Sequence, residues 1–167
     1  MILIIVPYSR GNSANINLFL DARHAENIVT RKSHYRFLIF IGKVLIICYS
    51  KNNNTIGSAS FGAEFVALRD TTEANVALQY KIKMMGLEIE GETNIFSDNQ
   101  SVVLNTQLPE SMFKKRHNHI AYHDIIWEAV ANDSRVCFER VNCNKADLLT
   151  NNPDKAKHEL MSRCIMW

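Results

Sequence analysis

The chain has 167 residues, 47% of them hydrophobic and 22% charged, which suits a single globular domain and excludes wholesale disorder, collagen-like and coiled-coil architectures. Nineteen basic against seventeen acidic residues leave a formal charge of only +2, so any affinity for nucleic acid must come from local clustering. The four cysteines, Cys48, Cys137, Cys143 and Cys164, contain no C-x-x-C pair and are too sparse for a disulfide-built module.

The opening residues Met1 to Val6 are apolar but lack a basic leader, and no stretch approaches the ~18 apolar residues of a membrane span. The expectation is a soluble cytoplasmic protein without disulfides or membrane contact, residues 1–15 forming an N-terminal remnant or linker and residues 16–167 the domain. Residues 7–15 are polar and turn-rich. Ile16, Leu18 and Leu20 then alternate with their neighbours into Asp21, predicting a short strand that ends on a carboxylate. Residues 35–41 and 44–49 are rich in Ile, Leu, Phe and Tyr, with Gly42 and Lys43 between them as a tight hairpin turn.

After a polar link at 51–55 the period changes. Phe61, Phe65, Leu68, Val76 and Leu78 recur at helical spacings, with Ser60 suited to open the helix and Gly86 to close it. A strand at 93–97 leads into Asp98, and a short helix at 101–105 cannot run far toward Pro109. A helix over about 117–131, a strand at 136–141 and helical segments from about 145 complete the pass. The order is βββ-α-β-α-α-β-α, an α/β domain with a mixed sheet and helices packed on it.

The chemical signal is positional. Asp21 ends the first strand, Glu64 lies one turn into the long helix, Asp98 follows the fourth strand, and Asp147 opens a helical segment after the last. If the strands of Asp21 and Asp98 are neighbours, their ends lie about 4.8 Å apart. Carboxylates that close repel by roughly 4 kcal/mol per pair at an effective dielectric near 20, so such a cluster needs a cation. Hard oxygen ligands select magnesium, with manganese as a substitute, and a pair of such ions suits phosphodiester cleavage. Acids also commonly end strands and begin helices for purely structural reasons, and spacing alone does not separate the two readings.

Residues in series add a resemblance. Phe19-Leu-Asp21-Ala22, Arg31-Lys-Ser33, Ser50-Lys51, and Ser60-Phe-Gly-Ala-Glu64-Phe65-Val-Ala-Leu68 are followed by Asp98-Asn-Gln-Ser101, Lys114-Lys-Arg-His117 with Tyr122-His123, and Ala146-Asp147-Leu-Leu-Thr150. In this order they resemble the ribonuclease H domain of copia-type retrotransposon Pol polyproteins, over about residues 16 to 165. The resemblance implies a ribonuclease H-like fold with a five-stranded mixed sheet, three antiparallel strands and then two parallel ones. It implies hydrolysis of the RNA strand of an RNA–DNA hybrid, leaving a 3′-hydroxyl, beside a reverse transcriptase domain and within the virus-like particle of an intact element. By position, Asp21, Glu64, Asp98 and Asp147 match that family's catalytic, metal-binding acids, which hold two magnesium ions.

The chain departs from the pattern at several places. Arg23-His24-Ala25-Glu26 replaces the usual Asp-Trp-Ala-Gly after Ala22, Gly62 replaces a glutamate, His119 an aspartate, and Asn151 a lysine. These departures motivate the alternative of a catalytically silent nucleic-acid-binding or assembly remnant of the same polyprotein. For substrate contact, the basic run Lys114, Lys115, Arg116 and His117 is placed to track phosphates, and Ser60 to meet a 2′-hydroxyl. His117, His119 and His123 lack the second ligand pair of a structural zinc site and read as surface histidines.

Overall fold

The computed structural model describes residues 14–23, 32–52, 60–107, 125, 134–140 and 143–149. They form β1 (Ile16–Arg23), β2 (His34–Ile41), β3 (Val44–Asn52), α1 (Ser60–Met84), β4 (Thr93–Ser97), α2 (Gln100–Gln107), β5 (Ser134–Phe138) and a 3₁₀ turn at Lys145–Leu149. The five strands make one mixed sheet in the order β3-β2-β1-β4-β5. β1 pairs antiparallel with β2, and β2 with β3, while β1–β4 and β4–β5 are parallel. The chain is therefore an α/β domain with three antiparallel strands extended by two parallel ones, as expected.

Alternation along β1 supplies two cores. Ile16, Leu18, Leu20 and Ala22 face one side, where α1 brings Phe65, Ala67 and Leu68, and α2 brings Val102 and Val103. Phe19 faces the other side with Leu38, Phe40 and Ala146 of the 3₁₀ turn. Ile125, the described residue of the segment expected to be helical at 117–131, is buried in the first core. Ile95 is fully buried on β4, between β1 and β5. Ile95→Ala is expected to cost about 2–5 kcal/mol in urea-induced unfolding, the range for a large-to-small change at a site that cannot collapse.

The α1 boundaries agree with the sequence. Gly86 has φ +73, its N–H bonds to the Lys83 carbonyl at 3.0 Å, and the Leu87 N–H bonds to Ile82 at 3.2 Å, so a left-handed glycine closes the helix. The buried stripe of α1 is more polar than the periodicity implies. Thr71 and Thr72 donate to the carbonyls of Ala67 and Leu68, Asn75 bonds to Ser134, and Gln79 to Thr93. The last two bonds pin the helix over β4 and β5.

Strand β2 and helix α2 differ from expectation by one or two residues, and three strands differ further. β1 continues past Asp21 because Ala22 and Arg23 pair with Tyr35 and His34 of the longer β2. β3 likewise continues through Lys51 to Asn52, opposite Tyr35 and His34. β5 occupies 134–138 rather than 136–141, because its register is set by β4, with Ser134 opposite Thr93 and Phe138 opposite Ser97. The 117–131 helix apart from Ile125, and the C-terminal segment beyond Leu149, lie outside the described residues. No described helix is long and apolar enough to cross a membrane. Cys48, Cys137 and Cys143 are free thiols, and Cys164 lies outside the described residues.

Candidate metal centre

The sheet order brings the acids together. β1 and β4 run parallel with Phe19 beside Phe96, so two residues further on Asp21 comes beside Asp98. Glu64 enters from α1, one turn past its start, where Ala63 and Phe65 on either side of it are buried. Asp21, Glu64 and Asp98 each offer an oxygen within 4.8 Å of the other two. Asp147 is buried in the 3₁₀ turn, outside this triad but near enough that its charge pushes the Asp98 carboxyl upward.

The electrostatics reflect the crowding. Burial, then the charges of Asp98 and Asp21, push the Glu64 carboxyl up to about 9, against one opposing hydrogen bond from the backbone of Ala22. Burial and then the charge of Asp21 push Asp98 up to about 6. Glu64 Oε2 is buried and has no hydrogen-bond partner among the described residues. A buried carboxylate oxygen without a donor is costly, and a divalent cation held by hard oxygens removes that cost and the mutual repulsion together. The donor set therefore fits magnesium or manganese.

The floor of the centre is aromatic. Side chains two residues apart on a strand share a face, so Phe19 and Phe96 lie directly behind Asp21 and Asp98. Their rings stack with centroids 4.9 Å apart, and Phe40 meets Phe19 edge-on at 5.7 Å. The Lys145 ammonium lies 4.9 Å from the Phe19 centroid and 4.6 Å from that of Phe40, which holds the 3₁₀ turn against this floor.

Asn144 is the residue that sequence reading missed. It is fully buried, donates from Nδ2 to the Leu20 carbonyl at 2.8 Å and accepts at Oδ1 from the Ala146 N–H at 3.1 Å. It thus ties the turn bearing Asp147 to the strand residue next to Asp21. The only available signal was an asparagine three residues before an acid, which reads equally well as a turn residue. Asn144→Ala removes both bonds and is expected to lower stability by about 1–3 kcal/mol in a thermal or urea melt.

Of the proposed substrate contacts, Ser60 is exposed at the start of α1. Lys114, Lys115, Arg116 and His117 lie outside the described residues, as do His119 and His123. Arg23, the first departure after the leading acid, is partly exposed at the end of β1. Gly62 has open space where a Cβ would stand, so no close approach demands glycine there.

No family model matches the chain. Over 158 residues, 93% of its length, it is 28% identical to the retrovirus-related Pol polyprotein from transposon TNT 1-94 of Nicotiana tabacum, and it spans 12% of that relative. In structure it is similar to the N-terminal ribonuclease H domain of rv2228c from Mycobacterium tuberculosis, with TM-score 0.61 and 13% identity over 90% of this chain and 98% of that one. It is also similar to LC11-RNase H1, isolated from compost by a metagenomic approach and solved in complex with an RNA/DNA hybrid, with TM-score 0.52 and 16% identity over 80% and 91% of the two chains. The chain thus has the ribonuclease H fold, and its sequence is similar to a segment of a retrotransposon Pol polyprotein.

Proposed function

We propose that the chain is the ribonuclease H domain of a copia-type retrotransposon Pol polyprotein and hydrolyses the RNA strand of RNA–DNA hybrids during reverse transcription. The convergence of Asp21, Glu64 and Asp98 within 4.8 Å, at the ends of β1 and β4 and the start of α1, carries this reading. The likeness to a ribonuclease H bound to an RNA/DNA hybrid supports the substrate class. The same four acids, Asp21, Glu64, Asp98 and Asp147, are assigned as ligands of two magnesium ions. Bound there, the ions supply Lewis-acid polarisation of the scissile phosphate and a water acidified for in-line attack.

The chain's own part is orientation and charge. The stacked pair Phe19 and Phe96 fixes the strands behind Asp21 and Asp98, the Ala22 N–H orients the Glu64 carboxylate, and Asn144 fixes the approach of Asp147. Water attacks phosphorus, the phosphodiester bond breaks, and the fragments carry a 3′-hydroxyl and a 5′-phosphate. The purified chain, incubated with an end-labelled RNA–DNA hybrid, is expected to release RNA fragments with magnesium and none with EDTA. Binding that is indifferent to magnesium and yields no product would instead identify the silent nucleic-acid-binding remnant.

A further inference from the structure

The pairing register lays one row of side chains across the sheet at the level of the acids. Asp98 follows β4, Asp21 lies beside it on β1, Arg36 is opposite Asp21 on β2, and Ser50 is opposite Arg36 on β3. Directly opposed residues share a face, so this row passes from carboxylates to a guanidinium to a hydroxyl over three strand spacings, about 14 Å. Two residues along the strands, the next row holds Arg23, His34 and Asn52. His34 Nε2 lies 2.8 Å from the Ser50 hydroxyl oxygen and joins the two rows. Ser50 and Asn52 are exposed, while Arg23, His34 and Arg36 are partly so, Arg36 with its Nη1 nitrogen buried. The face is thus acidic at Asp98 and Asp21, and basic or neutral-polar at Arg23 and over β2 and β3.

We propose that Arg36, with His34 and Ser50, binds the sugar–phosphate backbone of the nucleic-acid strand that runs on from the phosphodiester held at the acids. The inference rests on the ribonuclease H reading. A cluster of carboxylates repels a polyanion wherever ions do not neutralise it, so an adjacent fixed cation is needed to seat the flanking phosphates. Arg36 stands one strand spacing from Asp21, and guanidinium, imidazole and hydroxyl groups are suited to phosphate and ribose oxygens. The buried neighbours Tyr35, Phe37 and Leu38 hold this part of β2 in place.

Fluorescence anisotropy with a labelled RNA–DNA hybrid tests this, in magnesium and in an Asp98→Asn background so that the probe is not consumed. Arg36→Gln is expected to weaken binding roughly five- to tenfold and to lower the slope of log affinity against log salt by about 0.9, the loss of one phosphate contact. Ser50→Ala is expected to weaken binding roughly two- to threefold with the slope unchanged. Lys43→Gln, in the exposed hairpin at the far end of β2 and β3, is expected to leave both quantities unaltered. Arg36→Lys retains the slope, and together with Ser50→Ala it decides the outcome should Arg36→Gln lose its folded far-ultraviolet signal. Unchanged affinity and slope in folded Arg36→Gln overturn the inference alone. Failure of the Asp98→Asn parent and of the unmutated chain to bind the hybrid at all overturns it together with the ribonuclease H reading.

Discussion

Asp98→Asn is expected to leave a folded chain that cleaves an RNA–DNA hybrid roughly a hundred- to a thousandfold more slowly than the parent, the scale on which removal of one transition-state stabilising group acts. The amide keeps the volume of the carboxylate but not its charge, so the cluster loses one hard anionic ligand without a cavity opening. The same change relieves strain in the ion-free site, because the charge of Asp98 is the larger of the two that push Glu64 up. The variant is therefore expected to melt at or above the parent temperature in EDTA at pH 8, while gaining less from added magnesium. Gel assays of cleavage and thermal melts with and without magnesium check both halves. Cleavage near the parent rate would remove Asp98 from the chemistry, and a collapsed melting temperature would make its role structural.

Local chemistry determines much of this architecture, and pairing determines the rest. The alternation of Ile16, Leu18 and Leu20, the Gly42-Lys43 turn and the Gly86 cap are each decided within a few residues, and each is read correctly from the chain. The parallel partnership of β1 with β4 is not local. It joins residues nearly eighty positions apart, as Asn17 with Asn94, and nothing in either segment names the other. Resemblance supplied that step by ordering the acids, and the register then places Asp21 beside Asp98. Where register overrides apolarity, the strand departs from its sequence pattern. β5 starts at Ser134 and Arg135 because Thr93 and Asn94 stand opposite, although neither Ser134 nor Arg135 has the apolar character that marks a strand. The polar buried stripe of α1 is hidden from sequence periodicity for a related reason. Thr71 and Thr72 bond back to carbonyls one turn earlier in the helix, whereas the amide groups of Asn75 and Gln79 donate to Ser134 and Thr93, partners that only the fold supplies. Asn144 and Arg36 belong to the same class, since the importance of each lies in a neighbour distant in sequence.

The stability of the ion-free chain is expected to fall as pH rises from about 4 to about 9, and magnesium is expected to reverse that fall. Glu64 and Asp98 titrate in the folded chain near 9 and 6, above their ordinary values of 4.5 and 3.8. Between the ordinary and the raised value of each group the folded state holds a proton that the unfolded chain has lost. The linkage sign is then negative, so stability is greatest below the ordinary carboxylate range and declines through pH 6 and on toward 9. An ion bound by the carboxylates takes the place of those protons, so its affinity rises over the same interval. An ion present at a hundred times its dissociation constant adds about 2.7 kcal/mol, or roughly 5–10 °C for a chain of this length. The magnesium-induced rise in melting temperature is therefore expected to reach roughly this size at pH 8.5 and to vanish near pH 5. Glu64→Gln, which fixes the neutral form, is expected to flatten the EDTA profile above pH 6, where Asp98 has already lost its proton. Differential scanning fluorimetry across pH, with magnesium or EDTA, checks each part. A melting temperature in EDTA that climbs between pH 6 and 9 would mean that Glu64 and Asp98 meet a resident positive charge rather than one another.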